Sequence, residues 1–303
     1  MLDITLLGTG GMMPLPNRFL TSLFVRFNGH GLLIDCGEGT QVAMRKAGCS
    51  AYDINTILLT HFHADHVSGL AGLLLTMGNA DRTEPVVLWG PHGVDRVLSA
   101  VRVIAPELPF EVFPREIDAA GEELAIDGMR VTAFRVHHNM PCFGYTIEVD
   151  RQGRFDPEAA KALGIPLNDW KHLQKGETVT ADGVTFTPDM VLGPPRKGLK
   201  VVYCTDTRPC EAITSHVMGA DLAILEGMYG EADKQEKAKQ YKHMTMQEAA
   251  RIAAAARPKE LWLTHVSPSC VKASYFSDEI RKIFPETVFP KDGQSVTLRF
   301  AEE

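Results

Sequence analysis

Paired cysteines are missing from this chain of 303 residues, whose six cysteines stand apart with no Cys-x-x-Cys motif. This spacing excludes a zinc ribbon and favours the reduced thiols of a cytosol over a disulfide framework. No apolar run approaches the roughly 18 residues that a membrane span needs, and the first residues include no basic leader. We therefore expect a soluble, cytoplasmic protein.

A positive overall charge is also missing, since the formal net charge is -7 at pH 7. An acidic chain does not attract nucleic acid by its overall electrostatic potential, so any contact with a polyanion must come from a local basic patch. Hydrophobic residues make up 45% of the chain, which is enough for a large buried core. The composition predicts a globular enzyme.

The chain begins with short strands and continues with alternating helices and strands, which is typical of an α/β domain. The pattern predicts strands at 2–7, 22–27, 31–35, 55–60, 86–89, 199–204, 221–225, 260–264 and 295–300 and helices at 39–47, 70–77 and 245–256. Residues 151–200 differ, because they are polar, hold five prolines and show no sustained period. We predict one domain over 1–303 with an inserted arm at 151–200.

Four metal-ligand side chains fall within six residues at His61-Phe62-His63-Ala64-Asp65-His66. This metal motif directly follows apolar strand residues, and open α/β sheets place their sites at the carboxyl ends of strands. His61 and His63 can reach one ion from a bending strand end, while Asp65 and His66 face a second position. A solvated polar loop is the plain alternative, but histidine is rare and this spacing is specific.

Further ligands must come from elsewhere, because four protein side chains cannot fill the coordination spheres of two ions. Polar residues end three later apolar strands, namely the pair His137-His138, then Asp206, then His265. Taken singly, each is more often a surface or capping residue, and their repeated position behind a strand is what makes them candidates. Side chains alternate along a strand, so only one of His137 and His138 can face inward. A carboxylate such as Asp206 can bridge two ions.

A candidate proton donor, His243, stands just before a predicted helix start. Thr245 and Glu248 form a Thr-x-x-Glu capping box that opens the alanine-rich helix 246–256. The positive end of a helix favours bound phosphate but lowers the pKa of a nearby histidine, so a catalytic His243 needs a carboxylate partner. A capping or surface role for His243 is the alternative.

In this order, the motifs make the chain resemble the ribonuclease Z family, the transfer-RNA 3′-processing endonuclease branch of the metallo-β-lactamase superfamily. The resemblance covers nearly the full length. It rests on the metal motif, on His265 and on Leu7-Gly8-Thr9-Gly10, Asp35-Cys36-Gly37-Glu38-Gly39-Thr40-Gln41, Phe143-Gly144-Tyr145 and Asp206-Thr207-Arg208-Pro209. It implies an α/β fold, the four-layer αββα metallo-β-lactamase sandwich with an inserted arm.

The resemblance also implies the ligands of a centre with two zinc ions. His138 is the family's third histidine, by its distance from Gly144-Tyr145. One ion is then held by His61, His63, His138 and Asp206, and the other by Asp65, His66, His265 and Asp206. Manganese, iron and cobalt are alternatives, because nitrogen and oxygen ligands accept them too.

Two bound ions lower the pKa of a shared water and clamp phosphate oxygens, and Asp65 is the candidate that orients or deprotonates that water. The leaving ribose 3′ oxygen needs a proton donor placed elsewhere. The family pairs a histidine in a His-Ser-Thr-like motif with a glutamate in a His-Glu-Ala-Thr-like motif. The matching residues here are His243, in His243-Met244-Thr245, and Glu226, in Leu225-Glu226-Gly227-Met228.

The implied function is cleavage of precursor transfer RNA at its 3′ side, leaving a 3′ hydroxyl, by a homodimer whose arm is an exosite for the transfer-RNA elbow. Two segments depart from the family: Leu167-Asn168-Asp169-Trp170 stands where the arm has a Gly-Pro turn, and Pro14-Leu15-Pro16-Asn17-Arg18 replaces the loop that senses the mature 3′ end. Basic residues still cluster around the arm, at Lys161, Lys171, Lys175, Arg196, Lys197 and Lys200. A related phosphodiesterase acting on a small or cyclic phosphodiester is the alternative. A non-catalytic binding protein is the third hypothesis. Inactive relatives of enzymes tend to lose metal ligands, and none of the expected ligands is missing here.

Overall fold

A computed structural model describes residues 1–301 of the chain. Within that range the chain forms sixteen β-strands. In chain order they are β1 (Leu2–Gly8), β2 (Ser22–Phe27), β3 (His30–Ile34), β4 (Ile54–Leu58), β5 (Val86–Gly90), β6 (Val112–Glu116), β7 (Glu123–Ile126), β8 (Met129–Arg135), β9 (Phe143–Arg151), β10 (Val179–Ala181), β11 (Val184–Phe186), β12 (Arg196–Cys204), β13 (Leu222–Glu226), β14 (Leu261–Thr264), β15 (Thr287–Val288) and β16 (Gln294–Leu298).

The same residues 1–301 form ten α-helices. They are α1 (Thr40–Ala47), α2 (Ala64–Val67), α3 (Leu70–Gly78), α4 (Val94–Ile104), α5 (Pro157–Ala162), α6 (Trp170–Gln174), α7 (Glu211–Val217), α8 (Gln235–Tyr241), α9 (Met246–Ala256) and α10 (Ser277–Ile283). None of these helices is long and apolar enough to span a membrane.

The first sheet has seven strands in the order β16-β1-β2-β3-β4-β5-β6. Strands β16, β1, β2 and β3 pair antiparallel, whereas β3, β4, β5 and β6 pair parallel. Leu33 and Ile57 of this sheet share a buried cluster with Leu70, Leu73 and Leu74 of α3. Apolar strand and helix faces are therefore removed from water together, which is the main favourable contribution to this half of the fold.

The second sheet has seven strands in the order β15-β14-β13-β12-β9-β8-β7. Strands β12 to β15 pair parallel and β7 to β9 antiparallel, while α9 packs on β13 and β14. The hydroxyl of Tyr145 in this sheet donates to the carbonyl of Leu59 beyond the first sheet's β4, at 2.6 Å. Two mixed sheets packed together between helices confirm the expected αββα sandwich.

Residues 149–199, with Phe300 and Ala301, form a compact unit of their own, which we call the inserted unit. It contains α5, α6 and the hairpin β10-β11. Its small core buries Ala160, Ile165, Leu173, Phe186 and Val191. These apolar residues are divided among several short elements, so no single period extends along the sequence of the predicted arm at 151–200.

Four strand ends position the polar residues that the sequence singled out. In the first sheet β4 ends at Leu58, three residues before His61. In the second sheet β8, β12 and β14 end shortly before His138, Asp206 and His265. The fold thus delivers ligands from both sheets to one edge, as strand ends do in other α/β sites.

Candidate metal centre

The metal motif turns sharply after β4. His63 has extended backbone geometry and precedes the single turn of α2, so the chain reverses and brings His66 back towards His61. The His61 and His66 side chains are fully buried, and their ring centroids are 4.2 Å apart. A six-residue segment thereby offers ligands to two neighbouring positions.

Three further candidates join the motif from separate strand ends. Asp206 and His265 both have left-handed backbone conformations, with φ of 52° and 54°. Such φ values are uncommon for residues other than glycine and cluster at functional sites. The His138 side chain is fully buried, whereas His137 is exposed and contributes through its backbone, because its carbonyl accepts from the amide of Arg208 and its amide donates to the Thr207 hydroxyl. Of the histidine pair, the structure places His138 at the centre.

His61, His63, His138 and Asp206 form the first cluster. The distance from His63 Nδ1 to His61 Nε2 is 2.9 Å, and that to His138 Nε2 is 3.2 Å. Asp206 Oδ1 lies 3.8 Å from His61 Nε2 and 3.9 Å from His138 Nε2. Three imidazole nitrogens and one carboxylate oxygen thus surround a single point, which is the ligand number and type of a zinc site.

Asp65, His66, His265 and the second oxygen of Asp206 form the second cluster. Asp206 Oδ2 lies 3.2 Å from both His66 Nε2 and His265 Nε2. Asp65 Oδ2 lies 3.6 Å from His66 Nε2 and 3.4 Å from His265 Nε2. The carboxylate of Asp206 therefore faces both clusters, with one oxygen towards each.

The outer nitrogens of three histidines are hydrogen-bonded to other groups, and that of a fourth lies close to a carboxylate. His66 Nδ1 donates to Asp35 Oδ2 at 2.8 Å, and His138 Nδ1 donates to the carbonyl of Lys242 at 3.2 Å. The hydroxyl of Thr60 donates to Asp35, so its lone pair accepts from His61 Nδ1 at 3.0 Å. His265 Nδ1 lies 3.2 Å from Glu226 Oε2. These partners fix the tautomer that leaves each Nε2 lone pair aimed at the centre.

The electrostatics of the centre favour cations. Burial lowers the pKa of His61 well below its usual value and lowers those of His63 and His138, which keeps these imidazoles neutral. Burial alone would raise the pKa of Asp206, but His265, His66 and His61 hold it well below its usual value. Burial would lower the pKa of His265, but Asp206 and Asp65 raise it to about 10. These carboxylates thus draw positive charge to His265 Nε2, and a metal ion bound there would displace its proton.

These residues fit a pair of bound metal ions. Asp206 Oδ2 is buried and makes no hydrogen bond despite its two close imidazoles. Asp35, Asp206 and Glu226 are buried carboxylates whose ion-pair partners are histidines. Buried anionic charge and converging nitrogen lone pairs are costly unless a cation compensates them. The donor set therefore indicates divalent metal ions, and neutral imidazole with carboxylate suits zinc and its neighbours.

Glu226 and His243 lie beside the second cluster. Glu226 Oε2 is 2.8 Å from His243 Nδ1, while Oε1 accepts from the amides of Thr207 and Met244. Burial opposes charge on the His243 imidazole, but Glu226 outweighs it and raises the pKa of His243. A third grouping of Asp206, Glu226, His243 and His265 has ligand spacing too. Because amide donors and His243 already occupy the Glu226 oxygens, we assign Glu226 to holding His243.

Two supports of the centre were not assigned from the sequence. Asp35 lies in one of the segments that carry the family resemblance, and it orients His66 and Thr60. The amide of Met12, whose φ is 70°, donates to Asp65 Oδ2 at 2.7 Å, and a Cβ on Gly11 would lie 2.7 Å from the His265 ring. The Gly10-Gly11 segment after β1 was a signal, since it allows this close approach.

Comparison with known folds agrees with this architecture. A family model described as Beta-lactamase superfamily domain matches residues 148–266, and one described as Anti-Pycsar protein Apyc1 matches residues 2–102. The crystal structure of human tRNase Z, short form, has a TM-score of 0.68 and 24% sequence identity, and covers 98% of this chain and 100% of that chain. At this identity the likeness concerns the fold alone.

Fold and site together define a metal-dependent hydrolase of the metallo-β-lactamase fold. Curated proteins named Ribonuclease Z from Agathobacter rectalis and Lachnospira eligens are each 55% identical to the chain over 303 residues, which is 100% of both proteins. The chain belongs to the ribonuclease Z family. The fold and family expected from the sequence are confirmed.

Proposed function

We propose that this chain is a dinuclear zinc endoribonuclease that cleaves precursor transfer RNA on its 3′ side and leaves a 3′ hydroxyl. The observation that carries the proposal is the Glu226 and His243 pair beside two clusters that share Asp206. With this arrangement, a proton donor would stand next to a centre suited to a phosphate. The name Ribonuclease Z borne by relatives at 55% identity supports this choice of substrate.

The metal ligands follow from the two clusters. His61, His63 and His138 would hold one ion, Asp65, His66 and His265 the other, and Asp206 both. When bound, two such ions supply Lewis-acid activation of water and of phosphate oxygens at neutral pH. Elemental analysis of the purified protein tests this, with about two equivalents of zinc expected. Manganese, iron or cobalt in its place would change the metal identity but not the ligands.

Asp65 is proposed to orient the attacking water. Burial would raise the pKa of Asp65, but His265 and His66 hold it far below its usual value, so its carboxylate is ionised and can accept a hydrogen bond. The amide of Met12 holds one oxygen of this carboxylate. A fixed acceptor beside the water costs no reorganisation during the reaction.

His243 is proposed to protonate the leaving group. Its Nδ1 faces Glu226, which leaves Nε2 as the nitrogen that can face substrate. When water adds to phosphorus it releases a proton to solvent, the bond from phosphorus to O3′ breaks, and the electron pair of that bond stays on O3′. The proton from His243 Nε2 neutralises that oxygen, and solvent then reprotonates the imidazole. The phosphate remains on the trailer, and the transfer RNA keeps a 3′ hydroxyl.

The inserted unit is proposed to contact the elbow of the transfer RNA. Lys161, Lys171, Lys175 and Lys197 are exposed, and phosphate contacts of this kind provide affinity without reading sequence. Lys161 is already paired with Glu158 at 2.7 Å. The proposal therefore rests chiefly on Lys171, Lys175 and Lys197.

A homodimer in the cytosol completes the proposal. The six cysteines are free, which agrees with a reducing compartment. The dimer follows the family resemblance, in which the arm of one subunit serves the site of the other. Light scattering during gel filtration measures it, and a mass near 33.3 kDa would indicate a monomer instead.

The decisive experiment gives the metal-reconstituted protein a precursor transfer RNA with a 3′ trailer, in parallel with bis-p-nitrophenyl phosphate. We expect one cut, with a 3′ hydroxyl on the transfer RNA and a 5′ phosphate on the trailer. His243→Ala should slow this cut by about 10² to 10⁴-fold with metal retained. Turnover of the small ester with an intact precursor would favour a small-phosphodiester enzyme instead.

A further inference from the structure

Two short segments meet beside the second metal cluster. The first, residues 205–208, carries Asp206, which we call the bridging segment. The second, residues 242–245, carries His243, which we call the donor loop. Glu226 ties them together, because it accepts from the amides of Asp206 and Thr207 at 3.2 and 3.3 Å and faces His243 Nδ1 at 2.8 Å.

Arg208 makes a second tie between the same two segments. Its guanidinium donates to the backbone carbonyl of His243 and to both carboxylate oxygens of Glu248, one of these at 3.0 Å. Its own amide donates to the carbonyl of His137, the neighbour of the ligand His138, at 2.9 Å. One residue of the bridging segment therefore holds the donor loop by its backbone.

Glu248 connects Arg208 to the first turn of helix α9. Its Oε2 accepts from the amide of Thr245 at 2.9 Å, and its amide donates to the Thr245 hydroxyl at 3.2 Å, so the capping box predicted from the sequence is present. The side chains of Arg208 and Glu248 are only 17% and 9% exposed. A two-pronged pair between a planar guanidinium and a carboxylate has a fixed geometry, which a flexible lysine would not reproduce.

The donor loop needs such support. Lys242 begins it with φ of 62°, a conformation that side chains other than glycine rarely adopt. Within the loop, the His243 ring is held at Nδ1, its carbonyl by Arg208, and the next residues by Glu226 and the helix cap. Without the hydrogen bond from Arg208 to this carbonyl, the backbone that orients the His243 imidazole can rotate.

We propose that Arg208 is a positioning residue that fixes the His243 imidazole relative to Asp206, and that it thereby governs proton donation to the leaving oxygen. This inference rests on the proposed role of His243. Among the described residues, Arg208 donates hydrogen bonds to the carbonyls of His137 and His243 and to Glu248, and to no side chain of the two clusters. Loss of Arg208 should therefore slow a reaction more when the leaving group of that reaction needs a proton, and less when it does not.

The test compares two leaving groups under single-turnover conditions. A ribose 3′ alkoxide is a strong base that needs a proton, whereas p-nitrophenolate is a far weaker base that leaves without one. We expect Arg208→Ala to slow cleavage of precursor transfer RNA by about 10 to 100-fold, a loss typical of supporting residues. Hydrolysis of bis-p-nitrophenyl phosphate should fall at least tenfold less, with KM for the RNA and zinc content unchanged. Arg208→Lys should recover part of the RNA rate, because lysine can still reach one acceptor.

The matched control is Arg251→Ala, an exposed arginine on helix α9. It removes the same side chain and should leave both rates unchanged. If Arg208→Ala fails to fold or loses metal, Glu248→Gln carries the same test, because it keeps the shape of the pair and removes its charge. Equal losses on both substrates with metal retained would make Arg208 merely structural and overturn the proposal, as would unchanged rates.

The variant His243→Ala separates this inference from the proposed function. If it slows RNA cleavage selectively and Arg208→Ala does not, only the positioning role fails. If His243→Ala shows no dependence on the leaving group, proton donation by His243 fails and the role of Arg208 fails with it.

Discussion

The metal centre and the inserted unit are built on opposite principles. At the centre, polar and ionisable side chains such as Asp35, Asp206 and Glu226 are almost completely buried and each has several partners. In the inserted unit, residues 149–199, the buried side chains are apolar and few, and the charged ones face solvent. Buried polar networks specify one geometry, whereas a small apolar core with an exposed surface tolerates change.

The same contrast holds for charge. Residues 149–199 carry seven basic and seven acidic residues and are neutral as a whole, so contact with RNA must depend on where the lysines lie. At the centre the carboxylates pair with histidines, and bound divalent metal ions would complete the charge balance. We therefore expect changes at the centre to alter catalysis and changes in the inserted unit to alter substrate affinity.

The largest effect is expected for Asp206→Asn. Asparagine tolerates the left-handed backbone at φ of 52°, but its neutral amide cannot compensate two cations. Activity should fall by at least about 10³-fold, with loss of bound zinc measured by elemental analysis. Asp182→Asn is the matched control, since Asp182 has φ of 50° in the exposed hairpin turn of the inserted unit. A variant that keeps both zinc equivalents would contradict the shared-ligand assignment.

Gly11→Ala should have the next largest effect. A Cβ at this position would lie 2.7 Å from the His265 ring, so the imidazole must move. A displacement of about 1 Å at a reacting centre can cost about 10²-fold in rate, and zinc affinity should weaken as well. In the inserted unit, a Cβ on Gly193 would lie 3.6 Å from the nearest atom, the carbonyl oxygen of Arg154. This is an ordinary van der Waals contact, so Gly193→Ala should leave the single-turnover rate unchanged. Similar single-turnover rates for both variants would show that the two regions tolerate an added Cβ equally well.

A charge reversal in the inserted unit should raise KM and spare kcat. Lys171→Glu with Lys175→Glu changes two exposed lysines. If one or two phosphates are no longer neutralised, affinity should fall several-fold, and the slope of log K against log salt should decrease by about one for each such phosphate. Arg45→Glu with Lys282→Glu makes the same change in net charge at exposed positions elsewhere and is the control. A fall in kcat without a change in KM would place these lysines in catalysis, against the comparison.

The smallest effect concerns acid stability. Burial would raise the pKa of Glu248, but Arg208 and the amide of Thr245 lower it below its usual value. A carboxyl whose pKa is lower in the folded state stabilises the fold above its unfolded pKa of about 4.3, and this stability is lost as pH falls through the folded value. The difference in Tm between wild type and Glu248→Gln should therefore be constant from pH 7 to about 5 and shrink below about 4.3. A difference that stays constant at all pH values would mean that Glu248 is not held ionised.

The residues that cluster at the centre could be collected from the sequence for a physical reason. Strand ends in an α/β sheet meet at one edge, so His138, Asp206 and His265 could be collected from separate segments by their position behind apolar runs. The choice between His137 and His138 needed the family's spacing, since alternation alone allows either. The capping box at Thr245 and Glu248 was also evident, because it is local in sequence.

What the sequence could not supply are contacts made by backbone groups and by residues far apart. The amide of Met12 on Asp65, the carbonyl of Lys242 on His138 and the guanidinium of Arg208 on the His243 carbonyl depend on tertiary packing. The short elements of the inserted unit were missed because each is shorter than the window in which a period is visible.

The order of the ligands along the chain also has a consequence for biosynthesis. The centre draws on residues from His61 to His265, and β16, near residue 298, completes the first sheet by pairing with β1. A ribosome-bound chain therefore lacks a complete centre until His265 has emerged. Nascent or truncated chains that stop before this residue should be unable to cleave RNA, so activity arises only after these distant segments have been made and have folded together.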